Sequence, residues 1–179
     1  ISYQDSYSGG IKYAIAPNAD GSGTWTFHTV ESADYVEPYT SLAVVNGRPA
    51  ISYHDSTNAD LKYAIAPTTD GISGAWTILT VDSVGDVGLY TSLAVVNGRP
   101  AISYRDTTNA DLKFAIASSA DGTGGAWTLH TVDSPGDVGR STSLAVVNGR
   151  PAISYRDTTN ADLKFAIAPN ADGTGTWTT

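Results

Sequence analysis

The chain has 179 residues, a formal net charge of −8, no cysteine and no methionine. The missing cysteines exclude a disulfide framework, a zinc finger and a thiol nucleophile. Ten Lys and Arg residues against 18 acidic ones argue against a nucleic-acid partner, and no apolar run approaches the roughly 18 residues of a membrane-spanning helix. Because the chain begins at Ile1 and shows no signal-peptide pattern, we expect a processed product or an excerpt.

The sequence consists of near-identical copies. The string that begins at Ile1 returns at Ile51, Ile102 and Ile153, at intervals of 50, 51 and 51 residues. Each copy also carries one Trp, and three copies carry SLAVVNGRPA. A fixed period of this length is typical of repeat architectures. We therefore predict one repeat array over residues 1–179, with units of about 1–40, 41–91, 92–142 and 143–179.

Each copy contains four short segments with β character, which we call a to d in chain order. In the second copy, segment a begins at Ser41 and ends at Asn46–Gly47, a dipeptide that favours a two-residue type I′ hairpin. Segment b begins at Pro49, which lies at the strand entrance, where a missing N–H does least harm. Segment c begins at Leu61 and segment d at Trp76. No segment has a sustained helical period, so all four are predicted as strands of an antiparallel meander.

Segments b and c carry apolar residues on both sides, so a single meander would leave one apolar face in water. Stacking the copies would bury both faces. A period of about 50 residues with four strands predicts an all-β propeller of four-stranded antiparallel blades, with a β-solenoid or sandwich array as the alternative. The chain supplies about 3.5 to 4 blades, and the first lacks its inner strand. We expect its partners to be itself, in a homo-oligomeric ring, or further blades of a longer chain.

The turns between segments c and d read NADGSGTW, TTDGISGAW, SADGTGGAW and NADGTGTW. They resemble the Asp-box (BNR-like) repeat of sialidase-like β-propellers, here in recently amplified blades. The resemblance implies a structural role, in which the Asp accepts N–H groups of its own turn and the Trp packs under the hairpin, on the face away from an active site. The residues concerned are Asp20, Trp25, Asp70, Trp76, Asp121, Trp127, Asp172 and Trp177.

Differences between the copies fall mainly on one rim, formed by the b–c turns and the d–a loops. Loops on a rigid scaffold are common recognition sites, although drift at exposed positions would give the same pattern. The column after the strand-b Tyr and the d–a loops supply these candidate ligand-binding residues: Gln4, His54, Arg105, Arg156, Tyr39, Tyr90 and Arg140.

Catalysis of the sialidase kind would require three arginines on one carboxylate, a Tyr activated by a Glu, and a separate acid. Glu31 and Glu37 are the only glutamates, and no copy has a loop insertion that would build an asymmetric pocket. We therefore predict that the segment is not an enzyme and has no catalytic residue. The loop from Asp55 to Asp60 suggests calcium, but its residues are equally expected in a turn, so no cofactor or metal is predicted.

The predicted function is a non-enzymatic recognition or scaffold module that binds glycans or proteins multivalently at the variable rim, without nucleic acid or membrane insertion. One alternative is a sialidase-like glycosidase completed by chain outside this segment. Another is a purely structural surface-layer or filament repeat. The acidic composition and the Ser-, Thr- and Gly-rich turns suggest an extracellular or cell-surface location.

Overall fold

The computed structural model of the chain describes residues 1–7, 9–32 and 35–179. Regular secondary structure in these residues consists of fourteen β-strands in four antiparallel sheets, which we call blades 1 to 4. No helix able to cross a membrane occurs among them. The all-β architecture of antiparallel blades is thereby confirmed.

Strands that follow one another in the chain are neighbours in each sheet. Blade 1 has three strands, which are β1 (Ser2–Gln4), β2 (Ile11–Ile15) and β3 (Thr26–Glu31). Blade 2 has β4 (Val36–Val45), β5 (Arg48–Asp55), β6 (Asp60–Ile65) and β7 (Thr77–Asp82). Blade 3 has β8 (Val87–Val96), β9 (Arg99–Asp106), β10 (Asp111–Ala117) and β11 (Trp127–Asp133). Blade 4 has β12 (Arg140–Val147), β13 (Arg150–Asp157) and β14 (Asp162–Ile167), and Thr178 adds a single bridge to Ile167.

The first strand of a blade is longer than the sequence predicts. Strand β4 begins at Val36 instead of Ser41, because Val36 pairs with Asp55 across a register shift that precedes Thr40. A shift of this kind is a β-bulge, which accommodates extra residues while pairing continues. The hairpin after β4 forms as predicted, with Asn46 at φ +47° and Gly47 at φ +75°.

The hydrophobic core lies between neighbouring blades, at contacts that we call blade joints. In each joint an aromatic side chain of the strand formed by segment c of one blade packs on the Trp that follows the c–d turn of the next blade. The ring centroids are separated by 5.4 Å for Tyr13 and Trp76, 5.2 Å for Tyr63 and Trp127, and 5.2 Å for Phe114 and Trp177. Three buried clusters follow these joints, so each sheet is stabilised mainly by the sheets beside it.

Hydroxyl groups connect the first strands of neighbouring blades. Strand β4 contacts β8, and β8 contacts β12. The Ser41 hydroxyl oxygen accepts the Leu93 N–H at 2.9 Å, and that of Ser92 accepts the Leu144 N–H at 3.0 Å. Side-chain hydroxyl pairs add further links, at Ser2–Thr40 (2.8 Å), Ser52–Thr91 (2.7 Å) and Ser103–Thr142 (2.8 Å). The recurrence of these Ser and Thr residues between copies therefore reflects packing of each blade on its neighbour.

A buried carboxylate is held at each joint by the following blade. The Tyr104 hydroxyl donates to Asp82 Oδ2 at 2.7 Å, and Lys113 Nζ lies 2.6 Å from the same oxygen. Burial alone would raise the pKa of Asp82, but the hydrogen bonds from Lys113 and Tyr104 outweigh it, and the pKa is lowered from 3.8. The same contacts recur at Tyr155, Asp133 and Lys164, and Tyr53 donates to Glu31 in the first joint.

Phe114→Ala tests whether stability resides in the joints. The side chain is fully buried against Trp177, so we expect the free energy of unfolding to fall by about 3–5 kcal/mol. Phe165 occupies the equivalent position in blade 4 but is 51% exposed, and Phe165→Ala should cost about 1 kcal/mol or less. Urea denaturation of both variants at low protein concentration checks the difference. Equal losses would contradict the central role of the joints.

Asp82→Asn tests the carboxylate contact. Because the folded-state pKa of Asp82 lies below 3.8, its ionised form stabilises the fold at neutral pH, and this contribution is lost as the pH falls from about 4 through the folded-state pKa. We expect the variant to be less stable at neutral pH, with a deficit that shrinks below about pH 4. Urea denaturation across this range checks it, with exposed Asp162→Asn as the control. A deficit independent of pH would contradict this assignment.

Candidate functional site

The two rims of the blade stack carry different turns. The Arg48 guanidinium, next to an a–b turn, lies 3.1 Å from Asp121 Oδ2 in the c–d turn of the following blade. On the opposite rim, the Asp86 N–H in a d–a loop donates to Thr108 Oγ1 in a b–c turn at 2.8 Å. The predicted pairing of turns is therefore confirmed. We call the rim of b–c turns and d–a loops the variable rim; Ala33 and Asp34 of its first loop lie outside the described residues.

The aspartates of the c–d turns lie on the rim opposite the variable rim. Each accepts the N–H two residues further on, at 3.0 Å for Asp20 and Ser22, 3.1 Å for Asp70 and Ile72, 3.0 Å for Asp121 and Thr123, and 3.1 Å for Asp172 and Thr174. The indole N–H of each Trp donates to a Gly carbonyl of its own turn, as at Trp25, Trp76, Trp127 and Trp177. The N–H of Thr123 is the main cause of the lowered pKa of Asp121. These contacts shape the turns.

Three residues of the variable column reach across a joint to the next d–a loop. Their polar atoms contact groups of that loop: Gln4 Nε2 donates to the Val36 carbonyl (2.6 Å), His54 Nε2 lies 3.2 Å from Asp86 Oδ1, and Arg105 lies 2.6 Å from Asp137 Oδ1 and donates to the Val138 carbonyl. Arg105 and His54 are buried, whereas Arg156, in blade 4, is exposed. His54 and Arg105 thus differ between copies although the loop residues that they contact, Asp86 and Asp137, are equivalent, and a ligand role for the residues of this column stays a prediction.

Tyr39 and Tyr90 meet on the variable rim. Their ring centroids are 4.6 Å apart with the planes tilted by 48°, and Tyr39 is 41% exposed. Both residues lie within first strands, β4 and β8, and not in the d–a loops where the sequence places them. Tyr90 has φ +55° within the second of two shifts in the pairing of β8 with β9, and the equivalent Ser141 has φ +51°. A non-glycine residue in this region is uncommon and strained, and in both blades it accompanies a bulge in the first strand.

Arg140 lies beside the two tyrosines. Thr142, two residues further along β12, donates its hydroxyl to the Tyr90 carbonyl at 2.7 Å, which brings this end of β12 to Tyr90. The pKa of Tyr39 is raised, first by Tyr90 and then by burial, while the positive charge of Arg140 acts in the opposite direction. The side chain is 41% exposed, with NH2 3.4 Å from Asp137 Oδ2, and its buried Nε has no hydrogen-bond partner among the described residues. We call Tyr39, Tyr90 and Arg140 the Tyr–Arg cluster.

Two acidic residues near this cluster were not among the predicted site residues. Asp137 contacts both Arg105 and Arg140, and so connects the joint to the cluster. Glu37 acts electrostatically on Tyr39. The loop position of Asp137 is Tyr35 in the first copy but Asp86 in the second, so variability alone does not single out Asp137.

The b–c turns use their first carboxylate within the turn itself. Asp55 Oδ1 accepts the N–H groups of Thr57 (3.0 Å) and Asn58 (3.2 Å), and Oδ2 accepts the Asn58 side-chain amide (2.8 Å). Asp106 and Asp157 make the corresponding contacts with Asn109 and Asn160. Among the residues that the structure describes, no three His, Asp or Glu side chains gather as a metal site. The turn role therefore accounts for these side chains.

No protein-family model and no curated protein matches the chain. Solved structures do match it: a bifunctional GH43-CE protein of Bacteroides eggerthii (13% identity, TM-score 0.60), the α-L-arabinofuranosidase CtGH43 of Clostridium thermocellum (13%, 0.58) and the NanB sialidase of Streptococcus pneumoniae (14%, 0.56). The matches cover 99%, 98% and 88% of this chain, but only 24%, 66% and 26% of those chains. The chain thus spans from about a quarter to two thirds of them.

The chain therefore has a β-propeller fold of the kind found in GH43 glycoside hydrolases and sialidases. This finding corrects the prediction that the segment is not an enzyme: the solved structures with its fold are glycoside hydrolases and a sialidase. The prediction was based on the catalytic groups present in this chain alone. The matched proteins are longer than this chain, so such a count does not represent their whole fold. At these identities the likeness concerns the fold, and function is argued from the site.

Arg105→Ala distinguishes a joint residue from an exposed one. Removing the guanidinium leaves Asp137 and the Val138 carbonyl without a buried donor, so we expect the free energy of unfolding to fall by about 2–3 kcal/mol. Arg156→Ala, the same column position in blade 4, is exposed and should change stability by less than about 0.5 kcal/mol. Chemical denaturation of the two variants gives the comparison. If Arg105→Ala were as stable as Arg156→Ala, the joint role of Arg105 would be wrong.

Proposed function

We propose that the chain provides the carbohydrate-binding part of a propeller protein, and that the Tyr–Arg cluster on the variable rim is its binding site. The observation that carries the proposal is the contact between the Tyr39 and Tyr90 rings at the end of β12 that carries the half-exposed side chain of Arg140, where Thr142 hydrogen-bonds the Tyr90 carbonyl. The fold shared with GH43 enzymes and a sialidase supports the same ligand class by analogy.

The chemistry of the cluster suits a sugar. A pyranose presents C–H groups on one face, which pack on an aromatic ring, and hydroxyl groups at its edge, which need hydrogen-bond partners. Tyr39 and Tyr90 offer both ring faces and hydroxyl groups, so they match the two parts of such a ligand. The rings already contact each other, so little side-chain freedom would be lost on binding.

Arginine in this position favours a sugar that carries a carboxylate. Arg140 is the register partner of Arg156 across β12 and β13, and both are at least partly accessible. Like charges opposite each other in a sheet are unfavourable, and an anion between them would offset that repulsion. Guanidinium groups bind carboxylates in a bidentate manner, which gives orientation as well as affinity. We therefore propose an oligosaccharide with an acidic residue as the preferred ligand.

The cluster is formed once in the described residues. The position of Tyr39 and Tyr90 is occupied by Ser141 in the next copy, and the position of Arg140 by Pro38 and Leu89 in the earlier ones. We therefore propose one binding site, to which blades 2, 3 and 4 each contribute a residue, instead of one equivalent site per blade. Multivalent binding would then require several copies of the chain.

Other features belong to the proposal without being part of the site. The contact of Tyr53 with Glu31 lies in a blade joint, and its counterparts pair Tyr with Asp, so we assign it to packing. An extracellular or cell-surface location suits a protein that meets polysaccharides, and the acidic composition and Ser-, Thr- and Gly-rich turns support it.

Binding of acidic and neutral oligosaccharides tests the proposal. By calorimetry or on a glycan array, Tyr39→Ala and Tyr90→Ala should each weaken binding about tenfold or more, since each removes a stacking face. Arg140→Gln should weaken acidic ligands much more than neutral ones. Tyr35→Ala removes another exposed tyrosine near this rim and should leave binding unchanged.

Two results would reject the binding site. One is a natural chain that binds none of the oligosaccharides, and the other is an equal loss in Tyr35→Ala and Tyr39→Ala. The same samples, assayed for newly formed reducing ends, show whether the chain hydrolyses what it binds. Thermal unfolding of each variant keeps a loss of binding distinct from a loss of fold.

A further inference from the structure

Each blade joint is built from the same two complementary halves. The earlier blade supplies apolar side chains of its c strand, and the later blade supplies side chains of its b, c and d segments. In the joint between blades 3 and 4 the first half consists of Leu112, Phe114 and Ile116, and the second contains Ile153, Tyr155, Ala166 and Trp177. The other two joints repeat this pattern with equivalent residues.

Blade 4 presents the first half without a cover. Leu163 and Phe165 occupy the positions of Leu112 and Phe114, which are fully buried, but they are 84% and 51% exposed. Ile167 is partly buried beside them. These three side chains form a contiguous apolar strip along β14, which we call the blade 4 face.

Blade 1 presents the second half without a cover. Ile1 occupies the position of Ile51 and is 59% exposed, and Phe27 occupies the position of Ile78 and is 64% exposed. Trp25, the counterpart of the buried Trp76, is only partly buried. Ala14, at the position of Ala64 in the covered joint, is already buried behind these groups. We call this set the blade 1 face.

We propose that the blade 4 face binds the blade 1 face of a second copy of this chain, head to tail. In the part of the chain that the structure describes, three joints pair a face of the blade 4 type with one of the blade 1 type, so the two uncovered faces match by the same contacts. The aromatic contact expected at the new joint is Phe165 on Trp25, in the manner of Phe114 on Trp177. Because the two faces differ, the contact is heterologous and leaves one free face of each kind in a dimer.

A heterologous contact has a signature that sedimentation can detect. The natural chain should show a mass that increases with concentration. Phe165→Asp blocks the blade 4 face and Phe27→Asp blocks the blade 1 face, so each variant alone should weaken association about tenfold to a hundredfold. Mixed in equal amounts, the two variants should form a dimer and nothing larger, since the mixture retains one intact face of each kind.

The controls separate association from folding and from glycan binding. Val84→Asp alters an exposed apolar side chain of a d–a loop, away from both faces, and should associate like the natural chain. The replaced Phe residues are exposed, so both blocked variants should have circular dichroism and thermal unfolding unchanged at low concentration. The Tyr–Arg cluster belongs to neither face, so both blocked variants should bind glycans at low concentration as the natural chain does. Failure of the association proposal would therefore leave the glycan-binding result unchanged.

Three outcomes would overturn the proposal. The first is a natural chain that stays a monomer at the highest concentration at which it remains soluble. The second is a Phe165→Asp variant that associates as strongly as the natural chain. The third is a pair of variants that are monomeric alone and remain so in the mixture, which would exclude pairing between the two faces.

Discussion

The structure depends on one constraint: each sheet is apolar on both faces and can bury them only against other sheets of the same kind. The aromatic contacts between Tyr13 and Trp76, Tyr63 and Trp127, and Phe114 and Trp177 meet this requirement in three successive joints with nearly the same geometry. Because the core lies between the blades, a single copy has no complete core of its own, and stability arises from neighbouring pairs. The Ser and Thr links between β4, β8 and β12 and the buried carboxylates then fix how each blade is oriented on the next.

The same constraint explains where the copies differ. Residues of a joint must fit their partners in the adjacent copy, so the strand segments remain almost identical, whereas the variable rim is free to change. Change there still has structural consequences, since Gln4, His54 and Arg105 each make a polar contact across a joint. Tyr39 and Tyr90 come together because β4 and β8 are neighbours at the centre of the stack and a bulge at Tyr90 lies next to the pair. A candidate site can thus arise on a repeated scaffold by substitution at a few rim positions without a loop insertion.

Much of the fold could be predicted from the sequence, because the repeat, the Asn–Gly turns and the lack of a helical period each have a local physical cause. The early start of β4 at Val36 was missed, since Glu37 and Pro38 do not resemble a strand and the pairing with β5 is interrupted by a bulge. The candidate residues of the variable rim were selected because they vary between copies, and variability does not show how deeply a side chain is buried. Arg105 is buried in a joint, whereas Arg140 is half-exposed. The contact between Tyr39 and Tyr90 depends on which strands are adjacent in space, information that the order of segments alone does not contain. The exclusion of enzymatic activity was wrong because it treated a segment as if it were the whole of the fold.

Near-identity between copies also has a cost, since any face that fits one blade fits all of them. A stack of interchangeable units therefore presents, at each uncovered end, a surface that matches the opposite end, and exposed Leu163, Phe165, Ile1 and Phe27 are the direct expression of this property. Sheets with such ends are prone to uncontrolled assembly. The net charge of −8 acts against it by repulsion between copies at long range, while short-range apolar contact favours docking. The balance between these two terms decides whether copies of the chain remain separate or extend the stack, and both terms follow from the composition of the repeat itself.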